Sequence, residues 1–126
     1  MYRIELGTVE TEEDFEGGLR TVDKKVVDIL YAWVRQGDPR KGIGDFEQHE
    51  RRLFIMRHIK EAKESDADFI EFKDIEYVAL KKAAEEIFPM LQRADEGHYE
   101  IMKRIREAPE VKKAKTRANL AAVEAE

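Results

Sequence analysis

Residues 10–18 read Glu-Thr-Glu-Glu-Asp-Phe-Glu-Gly-Gly, an acidic run that closes on a glycine pair. Taken as a charged connector ending in a turn or flexible break, it leaves the ordered part of the chain to helices and sets the expected fold as mainly α. On its N-terminal side, Tyr2-Arg3-Ile4-Glu5-Leu6 alternates apolar and charged residues, the period of a half-buried strand. On its C-terminal side, Val22, Val26, Ile29, Leu30 and Trp33 fall on one helical face. Thr21 serves as N-cap of that helix, and Gly37 with Asp38-Pro39 stops it, so the spacing predicts a helix over residues 22–35.

The three glycines of residues 37–44 mark a packing corner or a mobile loop. Asp45 followed by Gln48 has the spacing of a capping box, and it opens a helix predicted over residues 46–63. Leu53, Met56 and Ile59, with Phe46, Ile55 and Ala62, supply its apolar residues. Phe69-Ile70-Glu71-Phe72 is short and β-prone, and its natural partner is the N-terminal strand, since a lone strand leaves its backbone groups unpaired. Asp74 is the expected cap of a helix over residues 75–88, with Tyr77, Leu80, Ala84, Ile87 and Phe88 inward. Pro89 is its stop or a kink in a longer rod. A last helix over residues 95–107 places Tyr99, Met102 and Ile105 on one face. The expected fold is thus mainly α: about four helices in one domain spanning residues 1–109, with a minor two-stranded β element, and a charged Ala/Lys/Glu-rich tail over residues 110–126. The tail's apolar line, Val111, Ala114, Ala118 and Ala121, is thin, so it frays unless it packs on a partner.

Charge divides the chain. Residues 1–23 hold seven acidic side chains against Arg3 and Arg20, whereas residues 103–117 hold seven basic ones against Glu107 and Glu110. An acidic front and a basic rear favour head-to-tail contact with another copy or with a partner. The 126 residues suffice for one core, and a charged share of 40% demands much solvated surface. Absence of cysteine excludes disulfides and thiolate ligands. No run approaches the roughly 18 apolar residues of a bilayer span, and a soluble, cytoplasmic protein is expected. The net charge of −5 opposes indiscriminate nucleic-acid binding by the whole domain while leaving room for a local basic patch.

Three segments together, Ile29 to Trp33 (Ile-Leu-Tyr-Ala-Trp), Glu50 to Ala62 (Glu-Arg-Arg-Leu-Phe-Ile-Met-Arg-His-Ile-Lys-Glu-Ala) and Phe69 to Ala83, form a pattern. It resembles small helical accessory proteins of tailed phages and prophages, over residues 22–105. The resemblance implies a viral accessory protein that acts through contacts, in particle assembly or on a host component, in the host cytoplasm. It brings no catalytic residues.

The residues themselves were weighed against several chemistries. Asp45 with His49, and Asp95 with His98, could each share a helix face, the raw material of a metal site. Both pairs stand at predicted helix starts, where Asp is expected as a cap, so no metal or cofactor is expected. The abundant carboxylates lie in charged surroundings that do not raise a pKa, and Gly42-Ile43-Gly44 lacks the remainder of a phosphate loop. No catalytic residue is assigned, and the protein is expected not to be an enzyme. A basic stripe of Lys103, Arg104, Arg106, Lys112, Lys113, Lys115 and Arg117 makes a nucleic-acid-binding regulator the alternative, although Asp95-Glu96 would repel phosphates. The favoured reading is a non-enzymatic protein–protein interaction protein, a homo-oligomer or the binder of one partner. Its candidate contact residues are Tyr31, Trp33, Lys112, Lys113, Lys115 and Arg117. Tyr31 lies off the apolar stripe, while Trp33 is equally suited to filling the core.

Overall fold

The computed structural model describes residues 1–37, 40, 42–91 and 93–111. In chain order the elements are β1 (Tyr2–Glu5), β2 (Thr8–Phe15), β3 (Gly18–Lys25), α1 (Val26–Arg35), α2 (Phe46–Glu64), β4 (Phe69–Phe72), α3 (Asp74–Ile87) and α4 (Glu96–Arg106). A 3-10 turn, Phe88–Met90, follows α3 directly. From residue 112 onward the predicted tail, with Lys112, Lys113, Lys115 and Arg117, lies outside the described residues, as do Asp38, Pro39 and Lys41 of the glycine loop.

The expected pairing of the two short strands is present. β1 runs antiparallel to β4, with Tyr2 opposite Phe72 and Ile4 opposite Ile70. Ile4, Ile70 and Phe72 point into the core. Arg3 and Glu71 face outward and pair at 2.9 Å. Across the other edge of β1, Tyr2 bridges Glu110, and the Arg3 N–H donates to the Pro109 carbonyl.

The fold class departs from expectation. The acidic run is a strand, not a connector: β2 and β3 form an antiparallel hairpin from Thr8 opposite Lys25 to Phe15 opposite Gly18. The structure is a mixed α/β fold with four helices and two separate two-stranded sheets, in place of a mainly α fold with one minor β element. Alternation is visible only at Val9 and Thr11, which are buried while Glu10 and Glu12 face out. Beyond Thr11 the acidic side chains obscure the pattern. Tight reversal at the tip depends on Gly17, whose φ of 83° suits glycine. The same hairpin shortens the first helix. Val22 and Val26 have helical spacing, yet Thr21 and Val22 are β-branched and pair with Glu12 and Thr11. The helix therefore begins at Val26, capped from Lys25 and not from Thr21, and the Val26 N–H donates to the Gly7 carbonyl.

The remaining helices follow their sequence signals more closely. The capping box of α2 is formed: the Gln48 N–H donates to Asp45 at 2.9 Å, and the Gln48 side chain accepts from the Asp45 N–H. For α3 the N-cap is Lys73, with Asp74 as the first helical residue, and the Glu76 carboxylate accepts the Lys73 N–H. Pro89 sits in the 3-10 turn, so α3 and α4 are two helices and not one kinked rod. Tyr99, expected inward, is exposed, while Met102 and Ile105 are buried as expected.

The core gathers Leu30 and Val34 of α1, Ile55 and Ile59 of α2, Leu80 of α3, and Ile101 and Ile105 of α4 around Ile4 and Phe72. Tyr77 of α3 donates its hydroxyl to the Ile105 carbonyl at 2.5 Å and stacks on Tyr2, ring centroids 4.1 Å apart. The Arg104 guanidinium donates to the Glu5 and Leu6 carbonyls, securing α4 against the exit of β1.

The hairpin lies on the first turn of α4, and there the backbones nearly touch. A Cβ at Gly97 would stand 2.3 Å from the Glu10 carbonyl oxygen and 2.8 Å from Thr11 Cγ2. Helix propensity alone favours alanine over glycine by about 1 kcal/mol. Here the contact reverses the sign: Gly97→Ala is expected to destabilise by roughly 1–3 kcal/mol, since the opposing atom is backbone. Urea unfolding of the two proteins measures it.

Candidate interaction surface

Helix α2 carries more apolar residues than one buried face can take. Ile55 and Ile59 enter the core, with Met56 and Ala62 half-buried beside them. Of its other predicted apolar residues, Phe46 is 80% exposed and Leu53 is exposed as well, and Phe54 beside them is 55% exposed. The helix is fixed in this orientation by Arg52. Its guanidinium donates to the Val34 and Gln36 carbonyls at the end of α1, and it pairs with Glu86 of α3 at 2.8 Å. A half-buried cation satisfying carbonyls left open by a helix terminus also complements the dipole there.

Between α2 and α3 runs an open groove of about 400 Å³, floored by Ala79 and Ala83 and bordered by the Gly42–Gly44 loop. Ile75 and Val78 form one wall, Val78 being 64% exposed. Arg51 and Lys82 border the same groove. On the other side of α2, a second groove of about 470 Å³ separates it from α1 and is lined by Val27, Tyr31 and Ile59. Tyr31 is half-buried in that wall. Trp33 is not on the surface: it is 5% exposed and packs near Phe88 and His98. Of the two aromatic contact candidates, Tyr31 borders a groove and Trp33 fills the core. Of the basic candidates, Lys112, Lys113, Lys115 and Arg117 lie outside the described residues.

Several charges of the two ends are matched within the chain. Glu13 on the hairpin faces Lys24 at 3.1 Å and Arg20 at 3.5 Å, and Lys24 first, then Arg20, lower its pKa. Asp14 meets Arg93 at 2.8 Å, Arg104 meets Glu100 at 2.9 Å, and Arg106 lies 3.7 Å from Glu85. Ion pairs this exposed contribute little to stability, because solvent screens them. They nonetheless reduce the charge left for head-to-tail contact.

The two Asp–His pairs are built as caps. Asp45 caps α2, and its companion His49 is exposed. Asp95 caps α4 by accepting the Gly97 and His98 N–H groups, and it also accepts the Glu12 N–H from the hairpin at 2.8 Å. Only 2% of the Asp95 side chain is exposed, and His98 Nδ1 stands 3.9 Å away, buried without a hydrogen-bond partner. Among the described residues no three potential metal-ligating side chains converge, and no helix is long and apolar enough to cross a membrane.

The exposed residues Phe46, Leu53, Phe54, Ile75 and Val78 were not singled out from sequence as contact candidates. A signal was present: α2 has two apolar lines, Phe46-Leu53 and Ile55-Ile59, on different helical faces. Comparison with family models, with curated proteins and with solved structures gives no match.

The Asp95 contacts carry a pH dependence. Burial alone raises its pKa, but the N–H groups of Glu12 and His98, the His98 imidazole and the Gly97 N–H together outweigh burial and hold it below the ordinary 3.8. A depressed folded pKa means stability present above the unfolded value and lost as pH falls through the folded one. Below pH 3.8 the unfolding free energy of the wild type should therefore decline more steeply than that of Asp95→Asn. Urea titrations between neutral pH and strong acid test this; parallel curves would refute it.

Proposed function

We propose that this chain is a non-enzymatic protein-interaction module that docks partners on the faces of α2 and α3. The observation that supports this reading most is the exposure of five large apolar side chains, Phe46, Leu53 and Phe54 on α2 and Ile75 and Val78 on α3, on two adjacent helices. Single exposed hydrophobes are ordinary, but repeated ones mark contact surface, and Ile75 and Val78 line the groove between the two helices. The groove between the two helices presents Arg51 and Lys82 next to its apolar wall, which fits an amphipathic segment with acidic residues. The resemblance over residues 22–105 is what attaches this reading to phage particle assembly or to a host component.

Nucleic-acid binding is the second reading, favoured by one specific observation. Lys81, Lys103 and Arg106 surround the exposed Tyr99 in an open groove of about 700 Å³ between α3 and α4. Cations around an exposed aromatic ring suit stacking on single-stranded bases. Glu85, paired with Arg106, and Glu107 line the same groove and oppose phosphate.

Two measurements separate the readings. A photoreactive side chain at Val78 should give a discrete protein adduct in cells that make the chain, and one at the exposed Glu5, which lines neither groove of α2, should not. Fluorescence polarisation with short single-stranded and duplex oligonucleotides at low salt should show no saturable binding. Tight binding with a steep salt slope, lost when Lys112, Lys113 and Lys115 are neutralised, would replace the first reading by the second.

A further inference from the structure

We infer that the outward face of α2 pairs antiparallel with the same face of a second copy, across a two-fold axis passing between Leu53 and Phe54. The inference rests on the interaction reading above, from which it takes the exposed apolar residues of α2 as contact surface. Phe46, Glu50, Leu53, Arg57 and Lys60 recur at alternating spacings of four and three, the interval of a helix–helix seam. They lie opposite Ile55 and Ile59, which face the core, and all five are exposed. Phe54 flanks this line, with the Arg57 guanidinium 5.7 Å from its ring centroid.

The charges along this face decide the occupant. Glu47 and Glu50 precede the central Leu53-Phe54 pair, while Arg57 and Lys60 follow it. Reversing the helix about the point between Leu53 and Phe54 places Leu53 against Phe54 of the second copy. It also places Glu50 opposite Arg57, a pairing that occurs twice by symmetry, and sets Phe46 beside Glu61 towards the helix ends. Among the described residues Glu47, Glu50, Arg57 and Lys60 have no ion-pair partner within the chain.

A parallel arrangement and a heptad slip are penalised by the same charges. A parallel pair sets Glu50 on Glu50 and Arg57 on Arg57. Slipping the antiparallel pair by a heptad puts either Glu50 against Glu50 or Arg57 against Arg57. The 19-residue helix is about 28 Å long, so the favoured register engages it nearly end to end. A small apolar centre with charge pairs setting direction is how helix pairs fix orientation and register.

Charge exchange tests the pairing directly, using the full chain in sedimentation equilibrium at moderate ionic strength. The wild type should form a dimer. Glu50→Arg and Arg57→Glu, both exposed and away from the core, should each raise the dimer dissociation constant by about tenfold or more, because each creates two like-charged contacts. The double variant carrying both substitutions should recover most of the wild-type affinity. Circular dichroism confirms that all four proteins are folded. A monomeric wild type, single variants that dimerise normally, or a double variant that fails to recover would each overturn the inference. The Val78 adduct is an independent readout, so loss of the dimer with the adduct retained would remove this pairing and leave the interaction reading standing.

Discussion

Strand β1 has only four residues, yet both of its edges must find partners, and satisfying them draws the two ends of the chain together. One edge takes β4, which follows the long helix α2, and the other takes the segment around Glu110. Tyr2, at the start of the strand, stacks on Tyr77, whose hydroxyl reaches the last turn of α4. The helices are thus arranged around a short strand that cannot stand alone. The hairpin is attached differently, through backbone contact at Gly97 and through Asp95, which accepts N–H groups from both the hairpin and α4.

What could be read in advance follows from how strongly local chemistry was expressed. Asp45 and Gln48 capped α2 as their spacing said, and the β1–β4 pairing was legible because two short β-prone segments each lacked any other partner. The hairpin was illegible because only Val9 and Thr11 of β2 are buried, while β3 buries no residue fully. A strand with so little buried surface has almost no hydrophobic period to detect. The same lack of signal extends further: with no hairpin to claim them, Thr21 and Val22 read as the start of a helix that in fact begins at Val26.

The site was less legible than the fold, and for a different reason. Periodicity counts apolar residues without saying how many faces the core can accept. Phe46 and Leu53 belong to the same apolar pattern as Ile55 and Ile59, but a helix packed against α1 and α3 on one side offers a single buried stripe. Trp33 shows the converse: an aromatic at a helix end looked equally fit for surface or interior, and its neighbours Phe88 and His98 come from segments far along the chain.

The open side of β3 has a bearing on how molecules of this chain can meet. Alternate residues of this eight-residue strand direct N–H and C=O groups to an edge that no strand covers among the described residues, a geometry that invites a neighbouring strand to add on. Arg20, Asp23, Lys24 and Lys25 border it, and burying them in an extended ribbon would strip them of water. Growth by strand addition is thereby disfavoured, which keeps the hairpin from seeding an open-ended ribbon of chain after chain.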